Sequence, residues 1–225
     1  MLYDKYTKIL EEIISPNQSD IEKEIAIHDY LVDNINYVDT GDSSYNAYSA
    51  LINGIAVCSG YTECFKTLLD MLGIENATIS GEAGGQQHIW NVVNLDNHWY
   101  HVDVTWDDPV GSSSDYIDHS YFNISADDMA LDHTWDRSRY SAYEKCGAKY
   151  SYCRYKKLPL ISNVNQLNKL IYSTVKNKTA HIEFTTTYNA DLKEAISRTG
   201  QQLSYSYKNI DCLLYTSPSP RDVEE

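Results

Sequence analysis

The chain has 225 residues, enough for one well-packed domain and a smaller second unit. It carries 32 acidic residues against 18 lysines and arginines, a formal net charge of −14. This balance argues against nucleic acid or an anionic membrane as a partner, because phosphate binding needs clustered positive charge. No stretch is apolar and long enough to span a bilayer, and no secretory hydrophobic segment follows Met1. Membrane insertion is therefore not expected, and the compartment is left open, since a longer natural chain could still be exported.

Two amphipathic helices are predicted at the N-terminus. Residues 2–14 show helical apolar spacing that ends before a Ser-Pro pair. Residues 19–34 begin with a Ser-x-x-Glu capping box and continue with the same spacing. His28 lies among the apolar residues of this second helix, with only the adjacent Asp29 as a titratable neighbour in sequence. We therefore interpret His28 as a structural residue.

A third helix is predicted over residues 59–72, where apolar residues recur at three- and four-residue steps. Gly73 is expected to end it in the left-handed conformation. Cys58 then lies at the helix opening, where unpaired N–H groups and the macrodipole favour an anion. A thiol at this position is favoured as the nucleophilic thiolate. Cys64, on the apolar stripe, is interpreted as a small buried hydrophobic residue.

A β-hairpin is predicted after this helix. Residues 88–95 and 98–106 are rich in aromatic and β-branched residues, and Asp96-Asn97 between them has turn composition. With a two-residue loop, His88 and Asp103 fall on the same face as diagonal cross-strand neighbours, within side-chain reach. The pattern predicts an imidazole with an orienting carboxylate, and the helix opening supplies a thiol.

Two metal-binding interpretations of the acidic and histidine residues are disfavoured. His98, His101 and Asp103 have a loose ligand spacing, but His98 points to the other side of the strand. The loop that contains Asp107, Asp108, Asp115 and Asp118 could hold calcium, yet it lacks EF-hand spacing and is interpreted as solvated. No cofactor is expected.

Three stretches resemble a known family when they are taken together: GIAVCSGYTECFKTLLDMLGI, HIWNVV and WYHVDVTWDDP. They are similar to the core of the transglutaminase-like superfamily of cysteine enzymes, in its bacterial branch, over about residues 21–135. The resemblance implies an α+β, papain-like core in which the cysteine helix packs on an antiparallel sheet. It also implies Cys58 as the nucleophile, His88 as the general base and acid, and Asp103 as the group that orients His88. His133 and Trp135 match the family pattern as well, and we interpret them as packing residues.

The activity implied by this resemblance is cysteine-dependent acyl transfer on a peptide or glutamine amide bond through a thioester. Hydrolysis of the peptidase or amidase type is the leading expectation, with a peptide or protein as substrate. Nothing in the residues chooses between water and an amine as acyl acceptor, so transglutaminase-type cross-linking is an alternative. A second alternative is a non-catalytic module with the same fold that binds a peptide or a surface polymer. For the oxyanion, the backbone N–H of Cys58 is favoured over the hydroxyl of Tyr45 or Tyr48.

The remainder of the chain is predicted to contain a second, smaller unit. After the hairpin, residues 121–124 should form a strand, and Ser125 should cap a short helix. Residues 1–158 form the catalytic domain in this prediction, and residues 159–211 form a small α/β unit. Its predicted elements are a helix over 164–175, a strand over 180–186, a helix over 192–199 and a strand over 203–210. Cys146 and Cys153 could form a disulfide or remain thiols, depending on the compartment.

The last residues of the chain are expected to be foreign to the protein. Residues 212–222 resemble a translated sequencing adapter, so residues 212–225 are predicted to be a non-native tail. The small α/β unit would then be truncated.

Overall fold

The computed structural model describes residues 2–108, 117–177 and 183–186. The helices are α1 (Leu2–Ile13), α2 (Asp20–Asn34), α3 (Cys58–Met71), α4 (Ala126–Met129), α5 (Tyr152–Tyr155) and α6 (Val164–Asn177). The strands are β1 (Asn36–Tyr37), β2 (Ile55–Ala56), β3 (Asn76–Ala83), β4 (Gln86–Leu95), β5 (His98–Val102), β6 (His133–Thr134), β7 (Leu160–Ile161) and β8 (Thr185–Thr186). The helices predicted over 2–14, 19–34, 59–72 and 164–175 are confirmed to within two residues at each end.

The central sheet has four antiparallel strands in the order β5-β4-β3-β6. β4 and β5 are joined by Asp96 and Asn97, both with positive φ (53° and 60°), the conformation of a two-residue hairpin turn that matches strand twist. Leu95 pairs with His98, which is the predicted register. Because the register is as predicted, the alternation of side chains along β4 and β5 is also as predicted.

Helix α3 packs against one face of this sheet. Its fully buried side chains include Tyr61, Phe65 and Leu68, and they share one hydrophobic cluster with Val93 of β4 and Tyr100 of β5. The α+β prediction, with the cysteine-bearing helix packed on an antiparallel sheet, is confirmed. The helix ends as predicted, because Gly73 adopts a φ of 71°, which a residue without a side chain tolerates best.

The opposite face of the sheet carries a second, largely aromatic cluster. Trp90 and Val92 of β4 point into it, together with Ile79 of β3 and Trp106 from the segment after β5. Consecutive residues of β4 therefore face different clusters, as the period-two geometry of a strand requires.

Two strand predictions need correction. The strand expected over 98–106 ends at Val102, because Asp103 begins a turn in which its Oδ1 atom accepts the N–H groups of Thr105 (3.1 Å) and Trp106 (3.2 Å). Residues 121–124 make only one isolated bridge, between Ile124 and His101, and are otherwise irregular. Asn123 interrupts the extended conformation with a φ of 55°. The helix capped by Ser125 is confirmed, since its Oγ accepts the N–H of Asp128 at 3.1 Å.

Only part of the predicted C-terminal unit falls within the described residues. There β7 and β8 are parallel neighbours, and Ile161, Leu167 and Phe184 form a small separate core. The predicted helix over 192–199, the strand over 203–210 and the tail over 212–225 lie outside the described residues. The division of the chain at residue 158 stays a prediction. Within the described ranges, no helix combines the length and the apolar character needed to cross a membrane.

The disulfide between Cys146 and Cys153 that the sequence left open does not form in the structure. Cys146 is a free cysteine, so the two do not form a disulfide with each other. Its Sγ atom accepts the N–H of Ala126 at 3.1 Å, at the start of α4.

Candidate active site

Cys58 is the first residue of α3 and is half-buried. The extended conformation of Val57 (φ −105°, ψ −177°) brings the chain into the helix, and the Val57 N–H is held by Ser44 O at 3.0 Å. Gly60 fits tightly in the first turn, because a Cβ there would lie 2.7 Å from the Ala56 Cβ. The segment before α3 is therefore packed against the helix start, and the sulfur is presented where the macrodipole favours negative charge.

The His88 side chain connects Cys58 to Asp103. Its Nε2 atom lies 2.6 Å from Asp103 Oδ2, and the Cys58 side chain lies near enough to the imidazole to raise its pKa. Because Nε2 is occupied by Asp103, Nδ1 is the nitrogen that remains for the thiol. The structure thus places His88 against Asp103, and Cys58 is among the groups that raise the pKa of His88. Burial alone would lower the pKa of His88, but the charge of Asp103 and the interactions of the protonated ring with Asp103 and Cys58 raise it to about 9.

Asp103 is buried and fully engaged. Oδ1 accepts two backbone N–H groups of its own turn, and Oδ2 contacts His88. Burial alone would raise the pKa of this carboxyl, but the imidazoles around it outweigh that effect and hold the pKa well below its usual range. Asp103 is therefore a carboxylate at neutral pH and can keep His88 in one orientation.

A second histidine, which the sequence interpretation assigned to packing, contacts the same carboxylate. His133 places Nε2 3.0 Å from Asp103 Oδ2 and Nδ1 2.6 Å from Asp132 Oδ1. It arrives on β6, the edge strand that pairs with β3 at Ala83. This contact spans 30 residues and depends on sheet order, so no local pattern in the sequence indicated it; the neighbouring Asp132 was the one available hint.

Aromatic rings hold the two histidines in place. Trp90 stacks on His88 with ring centroids 6.0 Å apart and meets His133 edge-on at 5.0 Å. Trp106 lies 4.4 Å from the His133 ring, centroid to centroid. The indole N–H of Trp90 donates to His101 Nδ1 at 3.0 Å. Since Trp90 is 1% exposed, its position is determined by packing and restricts the rotation of His88.

A second histidine–carboxylate cluster lies outside this site. His28 Nδ1 contacts Asp29 Oδ1 (3.0 Å), His28 Nε2 contacts Asp107 Oδ2 (3.1 Å), and His119 Nε2 contacts Asp29 Oδ1 (2.7 Å). Asp29 is the only titratable neighbour of His28 in sequence, but the fold also brings Asp107 and His119 to it. It is nevertheless a buried residue in the core, as interpreted.

Two of these groups contain residue types that bind metal ions, namely His88, Asp103 and His133, and His28, Asp29 and His119. In both, the imidazole nitrogens contact one carboxylate oxygen directly at hydrogen-bond distance. Hydrogen bonding accounts for these contacts.

The acidic loop after the hairpin is not solvated where the structure describes it. Asp107, Asp108 and Asp118 are all buried, and the Tyr61 hydroxyl donates to Asp108 Oδ2. Burial raises the pKa of Asp108 to about 6. The interpretation as a solvated loop was therefore wrong for these three residues; Asp115 lies outside the described residues.

Three further residues considered from sequence, Cys64, Tyr45 and Tyr48, lie in the core or at the surface. Cys64 is fully buried, and burial raises the pKa of its thiol to about 12, which agrees with a structural role. Tyr45 and Tyr48 are about half exposed, and the Tyr45 hydroxyl donates to Asp39 at 3.4 Å.

Comparison with protein families shows that residues 7–104 match the family described as the transglutaminase-like superfamily. No curated protein sequence matches the chain.

Several solved structures are similar in fold. One is described as a TGase, with 16% identity over 72% of this chain and 40% of that chain and a TM-score of 0.43. Another is a candidate cysteine protease from Cytophaga hutchinsonii, with 17% identity over 46% and 37% and a TM-score of 0.41. A third is an arylamine N-acetyltransferase from Bacillus cereus described with a Cys-His-Glu catalytic triad, with 13% identity over 48% and 50% and a TM-score of 0.33. The chain spans half or less of each of these proteins, and at these identities the likeness concerns the fold alone.

Proposed function

We propose that this chain, whose residues 7–104 match the family described as the transglutaminase-like superfamily, is a cysteine-dependent enzyme that cleaves peptide or glutamine amide bonds through a thioester. The observation that carries the proposal is the 2.6 Å contact between His88 and Asp103, together with the Cys58 side chain near enough to the same imidazole to raise its pKa. A nucleophile, a base and an orienting group in hydrogen-bond contact are the arrangement that nucleophilic catalysis needs. Cys58 is only half-buried, which is compatible with access of a substrate.

In the first step, the Cys58 thiolate attacks the carbonyl carbon of the scissile amide. The bond between carbon and nitrogen then breaks, and the leaving amine takes the proton from His88. The raised pKa of His88 suits this role, because the ring is still protonated when the amine departs. The product of this step is an acyl group held on Cys58 as a thioester.

In the second step, neutral His88 removes a proton from water, and the hydroxyl attacks the thioester carbon. The sulfur leaves as thiolate, and the acid product is released with the proton back on His88. Asp103 stays ionised throughout and stabilises the imidazolium that forms in each step. An amine in place of water would give a cross-linked product by the same route.

Stabilisation of the oxyanion is assigned to the backbone N–H of Cys58, at the first position of α3. The first four N–H groups of a helix have no partner within it and point toward an incoming anion. This donor is rigid because the helix start is packed, so it requires no reorganisation during the reaction.

The test combines thiol labelling with product analysis. The protein is incubated with a peptide library, with and without a labelled primary amine, and products are identified by mass spectrometry as cleaved, deamidated or conjugated. Iodoacetamide labelling is followed on intact protein. We expect cleavage or deamidation and fast labelling at Cys58, both lost in Cys58→Ala. Conjugation in preference to hydrolysis would assign the cross-linking activity instead.

Cys146→Ser is the matched control, because Cys146 is another free, partly buried cysteine that has no contact with His88 or Asp103 among its described partners. It should keep full turnover and lose only its own label. Turnover that persists in Cys58→Ala would refute the proposal. Peptide binding without turnover, together with slow labelling of Cys58, would identify a non-catalytic binding module.

A further inference from the structure

His133 belongs to the site but has no role in the proposed reaction. Both His133 and His88 direct Nε2 at one oxygen of Asp103, at 3.0 Å and 2.6 Å. The side chain of His133 is fully buried, and its ring centroid lies 5.6 Å from that of His88. A buried polar ring so close to the base must affect the proton affinity of that base.

The contacts of His133 determine its protonation. Nε2 faces the Asp103 carboxylate and Nδ1 faces the Asp132 carboxylate. A neutral imidazole has one N–H donor and one acceptor nitrogen. In one of the two contacts, the acceptor nitrogen would then face a carboxylate oxygen, which is also an acceptor. Both contacts are hydrogen bonds only when the ring carries two protons. The other oxygen of Asp132 accepts the Tyr121 hydroxyl at 2.7 Å, and a hydrogen bond of this kind favours the ionised carboxylate, which can only accept.

We propose that His133 is a positively charged positioning residue that shares Asp103 with His88 and limits how strongly His88 holds its proton. This inference rests on the proposed function, because it concerns how readily the base releases a proton in the second step. With Asp103 to itself, the buried His88 imidazolium would be stabilised more strongly, and neutral His88 would be rarer than it is with His133 present. The second positive ring opposes that stabilisation.

The other titratable groups around the two rings do not supply this charge. Three titratable residues surround the His88 ring: Asp103, in the turn after β5; Cys58, at the start of α3; and His133, on β6. His133 also faces Asp132 and the Tyr121 ring, 5.5 Å away between centroids. His101, on β5, accepts the N–H of Trp90, and burial lowers the pKa of His101 to about 3, so it is neutral. His133 is thus the one cation-forming group that faces the Asp103–His88 pair within the described residues.

The experiment is an NMR titration of the full chain labelled with ¹³C at histidine, with the His88 signal assigned through His88→Gln. It compares the wild type with His133→Gln, which keeps a donor toward Asp103 without a charge, and with Asp132→Asn. His98→Gln, in the β4–β5 turn region, is the control. We expect the His88 midpoint to rise by about one pH unit in His133→Gln, from the loss of a like charge at this range. Asp132→Asn should move it the same way by less, because it removes the group that keeps His133 doubly protonated.

The His88 midpoint in the two variants decides whether the proposal stands. A His88 midpoint that stays in place, or falls, in both variants would overturn the proposal, whereas a merely structural role would reduce thermal stability and leave the midpoint unchanged. If His133→Gln fails to fold, Asp132→Asn carries the test, since the Asp132 side chain is 30% exposed. The titration needs no turnover. A shifted midpoint with an unreactive Cys58 would therefore refute the proposed function and keep this inference.

Discussion

His28 on α2 places its Nε2 atom 3.1 Å from Asp107 Oδ2, across 79 positions of sequence. The other oxygen of Asp107 accepts the Tyr121 N–H at 2.8 Å, and the Asp107 N–H donates to Asp103 O at 3.2 Å. Tyr121 O in turn accepts the Asp103 N–H at 3.1 Å. The second histidine cluster therefore supports the turn that carries Asp103, and α2 contributes to the site without touching its reacting groups.

The first prediction concerns stability and pH. Burial alone would lower the pKa of His28, but Asp107 and Asp29 raise it to about 9 from an ordinary 6.5. Because the folded value is the higher one, this stabilisation is complete below pH 6.5 and is lost as the pH rises through about 9. The loss amounts to roughly 3 kcal/mol at about 1.4 kcal/mol per pKa unit. Urea denaturation of His28→Gln at about pH 6 and about pH 10 measures it.

We expect His28→Gln to be less stable than the wild type at the lower pH and to approach it at the higher pH. The raised pKa of His88 also makes the free energy of unfolding depend on pH, in both proteins. The informative quantity is therefore the difference in that free energy between the wild type and His28→Gln. A difference that does not change with pH would contradict a charged His28.

The second prediction concerns Asp103→Asn. The amide keeps an oxygen for the N–H groups of Thr105 and Trp106, so the melting temperature should change by only a few degrees. Its NH₂ group would face His88 Nε2 and favour the tautomer with the proton on Nδ1, toward Cys58. We expect turnover to fall by roughly 10³ to 10⁴-fold, as triads do when the orienting carboxylate is lost. Normal turnover with a normal melting curve would remove Asp103 from the mechanism.

The third prediction is the alkaline limit of activity. His88 must be protonated to release the amine, and its pKa is raised to about 9, so kcat/KM for an amide should fall about tenfold per pH unit above that value. An ester with a good leaving group needs no such proton, and its kcat/KM should stay level over the same range. An amide profile that declines near pH 7 would mean that His88 is not the acid.

The fourth prediction concerns the contact between β3 and β6. A Cβ on Gly81 would lie 2.1 Å from Thr134 O, so Gly81→Ala must push β6 away and carry His133 from Asp103. We expect a loss of roughly 1 to 3 kcal/mol of stability and a changed chemical shift of the His133 NMR signal. Gly85→Ala in the β3–β4 turn is the control. It meets no atom within 4 Å, and although its φ of 76° makes alanine costly, the His133 signal should not change.

Features that depend on neighbouring residues were predicted well from sequence. The period of apolar residues predicted α3 and its end at Gly73, and the composition of Asp96-Asn97 predicted a two-residue turn. Counting outward from that turn placed His88 and Asp103 on one face. The strand after the turn was predicted too long, because Asp103 uses its own side chain to cap the turn that ends it.

The sequence by itself determined which thiol, imidazole and carboxylate could meet, since a helix opening and a hairpin register are set by local geometry. Only the tertiary structure decided that His133 shares Asp103, that Asp107 reaches His28, and that the acidic residues after the hairpin are buried. Those contacts join segments 30 to 79 residues apart, through strand order and helix packing. Because such pairing is selected by the burial of the whole core rather than by any short pattern, the sequence alone does not contain a local signal for it.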